Sequence, residues 1–103
     1  MPSDKPNLLL IQADQLKPQV LNTYGGPADS PHLDSLADEG VVFENAYCNF
    51  PLCAPSRFSM LAGMLPSRIG AYDNGAEYLA QVPTMAHYLR LAGYHTCLSA
   101  DTV

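Results

Sequence analysis

Positive charge is scarce in this chain, long apolar runs are missing and the cysteines come unpaired; each shortage removes a class of function. Lys5, Lys17, Arg57, Arg68 and Arg90 stand alone against ten acidic residues, leaving a net charge of −5. A nucleic-acid-binding surface needs a basic patch, and five scattered cations make none, so nucleic acid drops out as a partner. The longest apolar run, residues 8–11, falls far short of the about 20 residues that cross a bilayer. No basic start or small-residue cleavage site precedes it, so the expectation is a soluble, cytoplasmic protein without signal peptide or membrane partner. Cys48, Cys53 and Cys97 are odd in number and lack Cys-x-x-Cys spacing. A disulfide framework and a zinc cluster are therefore both disfavoured, which leaves one of the three free for a chemical role.

What is present suits a globular α/β fold. Hydrophobic residues make up 48% of the 103 positions, enough for a core but not for more than one small domain. Residues 7–13 read as a buried strand, because four consecutive aliphatics follow Pro6 and end near Asp14. A continuous apolar run fits a central strand of a parallel sheet covered on both faces. Asp14-Gln15 then falls at the carboxyl end of that strand, where open α/β sheets bind their ligands. Residues 17–29 read as loop. Ser30 and Pro31 mark a helix start, Leu33, Leu36 and Ala37 its apolar face, and Gly40 its end. Residues 41–47 read as a second strand with Val42 and Phe43 inward. A helix over 55–62 has Phe58 and Leu61 or Ala62 inward and stops at Gly63, and residues 64–83 are irregular. Thr84 caps a helix with Met85, Tyr88, Leu89 and Ala92 on one face and Gly93 as its stop. Residues 94–99 read as a third strand. Two or three strands cannot bury the face that residues 8–11 imply, so the chain reads as part of a domain.

The chemistry concentrates in Cys53-Ala54-Pro55-Ser56-Arg57. A cysteine just ahead of a helix faces unpaired backbone amides and the positive end of the dipole. The same place suits a tetrahedral oxyanion such as sulfate or phosphate. Arg57, four residues on, returns to that side of the helix and adds a guanidinium. Position alone is equally compatible with a buried loop cysteine beside a surface arginine. The thiol mechanism of cysteine-dependent phosphatases is disfavoured, because they wrap a longer loop between Cys and Arg than Ala54, Pro55 and Ser56 provide. Asp14 by itself also fits a strand-end acid capping a loop, and Asn74 a turn asparagine in Tyr72-Asp73-Asn74-Gly75. His32, His87 and Cys97 read as structural.

Cys-x-Pro-x-Arg followed by Ser59-Met60-Leu61-Ala62-Gly63 resembles the sulfatase signature, and Ala62-Gly63 in place of Thr-Gly is similar to its choline-sulfatase branch. Lys5-Pro6-Asn7, Ala13-Asp14-Gln15, Ser30-Pro31-His32-Leu33, Leu65-Pro66-Ser67-Arg68 and Ala92-Gly93-Tyr94 extend the likeness from Lys5 to about Ser99. The resemblance implies an alkaline-phosphatase-like three-layer sandwich around a mainly parallel sheet, of which residues 1–103 are an incomplete amino-terminal part. It also implies that Cys53 is oxidised to formylglycine by a formylglycine-generating enzyme. One hydroxyl of the hydrated aldehyde then attacks the sulfur of a small sulfate ester, and the second expels the sulfate, an exit that a thiol or serine lacks. A divalent cation, calcium ahead of magnesium or manganese, lowers the hydroxyl pKa.

By position, the resemblance makes Cys53 and Arg57 catalytic, Asp14 and the modified Cys53 metal ligands, and Asn74 a contact to the sulfate group. Full-length relatives are implied to be homo-oligomers. Two departures limit the likeness. Gln15 stands where arylsulfatases have a second aspartate, a pairing also found in phosphonate monoester hydrolases of the superfamily. Ser99-Ala100-Asp101 replaces the Ser-Gly-Lys that supplies a catalytic lysine. The expectation is a sulfuric ester hydrolase by ancestry, inactive as this isolated chain. A phosphonate or phosphate monoester hydrolase and a non-catalytic truncated remnant are the alternatives.

Overall fold

The computed structural model describes residues 4–99; the departure at Ala100 and Asp101 lies outside them. The described chain is helical and divides into two compact units, residues 1–44 and 45–103.

The first unit is built around a tight loop and one helix. Pro18–Val20 and Asn22–Tyr24 form successive 3-10 turns, and Pro31–Glu39 forms helix α1. Pro31 sits at the first helical position, where a missing N–H costs nothing, and Gly40 ends the helix as the sequence predicts. The segment read as plain loop is thus ordered by its own backbone. Gly26 N–H donates to Leu21 O at 2.8 Å and Ala28 N–H to Val20 O at 2.8 Å, with an isolated parallel bridge between Leu21 and Ala28.

Asp34 ties this loop to α1. Its Oδ1 accepts from the Thr23 hydroxyl at 2.6 Å and from the Ser30 hydroxyl at 3.3 Å, and its Oδ2 from the Asn22 amide at 3.1 Å. The Thr23 hydroxyl is the largest influence holding the Asp34 carboxyl below its ordinary value of 3.8; partial desolvation opposes it, and the Asn22 and Ser30 donors reinforce it. Those donors favour the ionised form, so their stabilisation is fully present above the unfolded pKa and disappears as pH falls through the lower folded one. A carbon-detected NMR titration of Asp34 is expected to show a midpoint below the ordinary carboxyl value of 3.8. A midpoint at or above that value would contradict the role of these donors.

The second unit carries helices α2 (Cys53–Ala62), α3 (Pro66–Ile69) and α4 (Met85–Leu91), with α3 and α4 both packing on α2. Its buried side chains are Pro55 and Ser59 on α2, Pro66 and Ile69 on α3, and Ala71 just beyond. Phe58 meets Tyr78 edge to face, with ring centroids 5.1 Å apart. Gly63 closes α2 in the left-handed region at φ 64°, its N–H reaching Ser59 O at 2.9 Å. At the start of α4, His87 Nδ1 accepts from the Thr84 backbone N–H at 3.0 Å, so this histidine is structural and serves the cap that Thr84 was expected to form.

The expected sheet is not formed among the described residues. Residues 7–13, 41–47 and 94–99 make no strand; Leu21–Ala28 is the bridge that is present. Leu8, Leu9, Leu10 and Ile11 are 61–85% exposed, and Val42, Phe43, Leu33 and Leu36 also lie exposed. The reason is physical: a helix satisfies its backbone within itself, whereas a strand needs a neighbour for every hydrogen bond and a covering layer for each face. The apolar faces expected of α1 and α4 are only partly covered: Ala37 and Leu89 are half-buried, whereas Leu33, Leu36, Met85 and Tyr88 stay exposed. The turn α3, in a stretch expected to be irregular, follows from Pro66 at the first helical position and Gly70 at φ 76° after the last.

Candidate active site

Helix α2 begins at Cys53, two residues earlier than the sequence reading placed it, so the cysteine is the first helical residue rather than the one ahead of it. Its side chain is exposed, as are those of Cys48 and Cys97, and all three are unpaired thiols. Arg57 lies one turn further along, on the same side by helical spacing, and is also exposed. Cys53 and Arg57 thus share one regular helix, one turn apart.

This helix has an unusual amino terminus. Its N-cap is Leu52, extended at φ −134° and ψ 150°, and an aliphatic side chain offers no acceptor to the first-turn amides. Pro55 removes one donor by having no N–H, and Ser56 N–H reaches Leu52 O at 3.0 Å. Ala54 N–H finds its acceptor 20 residues away: Asn74 Oδ1, at 3.1 Å. Asn74 is held there by the turn it belongs to, in which Asp73 Oδ1 accepts from Gly75 N–H at 2.9 Å. The structure thus brings Asn74 onto the residue next to Cys53, through its carbonyl oxygen.

A second network fixes the loop leading into Cys53. Ser59, 3% exposed, donates to Met64 O at 2.7 Å and accepts from the Asn49 amide at 3.0 Å. One buried hydroxyl so joins the segment before Cys53, the helix that Cys53 begins and the turn after it. Sequence reasoning missed this pair. The available signal was spacing: Ser59 is four residues from Pro55 on α2, and both are buried more deeply than the expected Phe58 and Leu61 or Ala62. Phe58, Leu61 and Ala62 are half-buried.

Asp14 belongs to the other unit and is exposed, in a turn with Gln15. Gln15 has φ 51°, left-handed geometry that a non-glycine residue adopts at a cost of about 1 kcal/mol. A recess of about 450 Å³ in that unit is lined by Asn22, Thr23, Asp34, Asp38 and Glu44 and does not include Asp14.

The fit of a divalent cation can be tested on the donor set. Calcium takes about 6–8 oxygens and magnesium about six. Among the described residues no group of three or more His, Cys, Asp or Glu side chains could hold a metal ion. Asp14 and an oxygen derived from Cys53 are the right chemical type but too few, so the described residues do not make a cation site. No helix among them is long and apolar enough to cross a membrane.

The sulfatase family model matches residues 6–101. A choline-sulfatase of Rhizobium meliloti (strain 1021) is 50% identical over 102 residues, covering 96% of this chain and 20% of that protein. An N-acetylgalactosamine-6-O-sulfatase of Bacteroides thetaiotaomicron is 41% identical over 100 residues, covering 91% and 20%. An uncharacterized sulfatase of Escherichia coli (strain K12), YidJ, is 34% identical over 94 residues, covering 90% and 19%. The chain spans about a fifth of the length of these curated relatives. No solved structure matches it.

Proposed function

The chain belongs to the sulfatase family, and on that premise we propose that it carries the nucleophile-bearing, amino-terminal part of a sulfuric ester hydrolase of the choline-sulfatase type. The observation that supports this best is the exposed Cys53 at the first position of α2, with Arg57 one turn on and Asn74 bound to the adjacent amide.

In this reading Cys53 is the precursor of formylglycine, made by a formylglycine-generating enzyme. The hydrated aldehyde supplies two hydroxyls on one carbon, one to take the sulfuryl group and one to expel it. The chain's own residues do the rest. Arg57 holds negative charge at position 53 by a charge-assisted contact across one helical turn. The first turn of α2 directs backbone N–H groups and the positive end of its dipole toward the same point, which suits a tetrahedral anion. Asn74, with Oδ1 committed to Ala54, keeps its NH2 group as the part of the amide that would donate to a sulfate oxygen. Asp14 and the modified Cys53 are two donors toward a divalent cation, calcium in first place. No step is assigned to the metal, since the described donors are too few.

The chain by itself is proposed to be inactive, because it holds two of the many oxygens a hard cation needs and leaves residues 8–11 uncovered. The alkaline-phosphatase-like parallel sheet of the family is proposed to form when those residues are covered by further chain. A cytoplasmic setting is supported by three unpaired, exposed thiols, which an oxidising compartment does not favour. The substrate is proposed to be a small sulfate ester. Gln15 beside Asp14 favours one second reading, a phosphonate or phosphate monoester hydrolase, because the site loses a charge there.

The test is a chimera in which residues 4–99 replace the matching segment of the Rhizobium meliloti choline-sulfatase, with a formylglycine-generating enzyme co-expressed. Sulfate release from choline sulfate is expected from the chimera and none from the 103-residue chain. A folded chimera that cleaves phosphonate monoesters and leaves sulfate esters intact would establish the second reading instead.

A further inference from the structure

We propose that Asn74 is a positioning residue for Cys53: its carbonyl oxygen is the amino-terminal cap that Leu52 cannot give to α2. The role as positioning residue rests on the functional reading of Cys53; the cap itself does not. A helix start leaves its first N–H groups without intrahelical partners, and a side-chain acceptor normally comes from the N-cap residue. In α2 that residue is a leucine with no side-chain cap bond. Pro55 and the Ser56–Leu52 bond dispose of two of the first-turn positions. Ala54 N–H is supplied from outside the helix, by Asn74 Oδ1 at 3.1 Å.

An acceptor delivered across 20 residues has a consequence that a local cap would not have. The turn containing Asp73, Asn74 and Gly75 is coupled to the backbone next to the nucleophile, so whatever fixes one fixes the other. The Asp73–Gly75 bond orients the turn from its far side. Asn74 thereby sets the conformation of the Cys53–Ala54 peptide and with it the direction of the Cys53 side chain.

The role needs an acceptor and does not need the amide's donors, which makes it separable from a contact to sulfate. A carboxylate at position 74 can accept the Ala54 N–H as well as an amide does, and its charge suits a helix amino terminus. It cannot donate to an anion and would repel one.

Amide hydrogen exchange in the 103-residue chain therefore tests the proposal directly, with Asn74→Ala and Asn74→Asp compared against the parent. In Asn74→Ala the Ala54 N–H is expected to exchange about tenfold faster, as for a lost helix cap. The Cys53 amide–Hα coupling is expected to rise from its helical value toward that of a coil. Asn74→Asp is expected to restore both. The Ala92 N–H, bonded to Tyr88 O at 3.0 Å in α4, reports on the rest of the unit and is expected to stay unchanged. If Asn74→Ala loosens Ala54 and Ala92 alike, Asn74→Asp decides. Recovery of Ala54 supports the cap, and exchange as fast as in Asn74→Ala overturns it. Unchanged Ala54 exchange in Asn74→Ala also overturns it. None of these readouts needs oxidation of Cys53 or turnover, so a failure of the sulfatase reading would leave this result standing, and the reverse.

Discussion

Replacing Cys53 by serine in the active chimera is expected to lower steady-state sulfate release by at least about 10³-fold, the scale on which losing a nucleophile acts. The first turnover is expected to survive. A serine oxygen at the head of α2 can form a bond to sulfur while the substrate's ester bond breaks, the alcohol leaving with the serine proton. What it lacks is a second hydroxyl on the same carbon, so the sulfate ester at position 53 has no internal route to release. The variant should therefore stall with one SO3 group on the peptide that contains position 53, visible by mass spectrometry after incubation with substrate. Steady turnover by Cys53→Ser, or a stalled enzyme with no added mass on that peptide, would mean that the two-hydroxyl exit is not used.

The largest structural effect is expected at Gly26. A Cβ built there lies 2.2 Å from the Val20 carbonyl carbon and 2.4 Å from both Gln19 O and Val20 O. All three are backbone atoms, so no side-chain rotation relieves the clash and the loop must open. Gly26→Ala should cost the upper end of the about 1–3 kcal/mol typical of overpacking. It should also abolish exchange protection at Gly26 and Ala28, whose N–H groups bond to Leu21 O and Val20 O. Gly25 is the control: it has φ 79°, but a Cβ there meets nothing within 4 Å. Gly25→Ala should cost about 1 kcal/mol, the penalty of left-handed backbone alone. Equal effects at the two glycines would contradict the close approach at 26.

How much of this was legible in the sequence depends on how local each feature is. The helices were readable because their punctuation lies within a few residues. Ser30-Pro31 and Gly40 bound α1, Gly63 ends α2, and Thr84 with Gly93 brackets α4. That Cys53 and Arg57 lie one turn apart followed from spacing alone, whereas the exposure of Cys53 did not, a buried loop cysteine having been equally compatible. The start of α2 was misplaced because Pro55 reads as a first helical residue, whereas the helix reaches back to Cys53. The short helix at Pro66 and the 3-10 turns around residues 18–24 carry proline and glycine markers but are too brief to show periodicity.

The strands are the instructive miss. Residues 8–11 state a preference for burial, and that preference is real. It says nothing about which segment supplies the neighbouring backbone, and none of the described residues does so. The site shows the same division. Asp34 collecting Thr23 and Asn22, Ser59 accepting from Asn49, and Asn74 reaching Ala54 are contacts between residues ten or more apart in sequence. Asn74 drew attention through its resemblance to a sulfatase position, yet nothing in its local sequence shows that its carbonyl oxygen accepts from Ala54 N–H in the first turn of α2.

The central claim is that Cys53 is the precursor of the catalytic group, and peptide mass spectrometry of the chain co-expressed with a formylglycine-generating enzyme tests it most directly. The peptide containing Cys53 is expected to lose about 18 mass units, the change from thiol to aldehyde, while Cys48 and Cys97 in the same molecule remain thiols. Cys53 persisting as a thiol while a control sulfatase is converted in the same cells would contradict the claim.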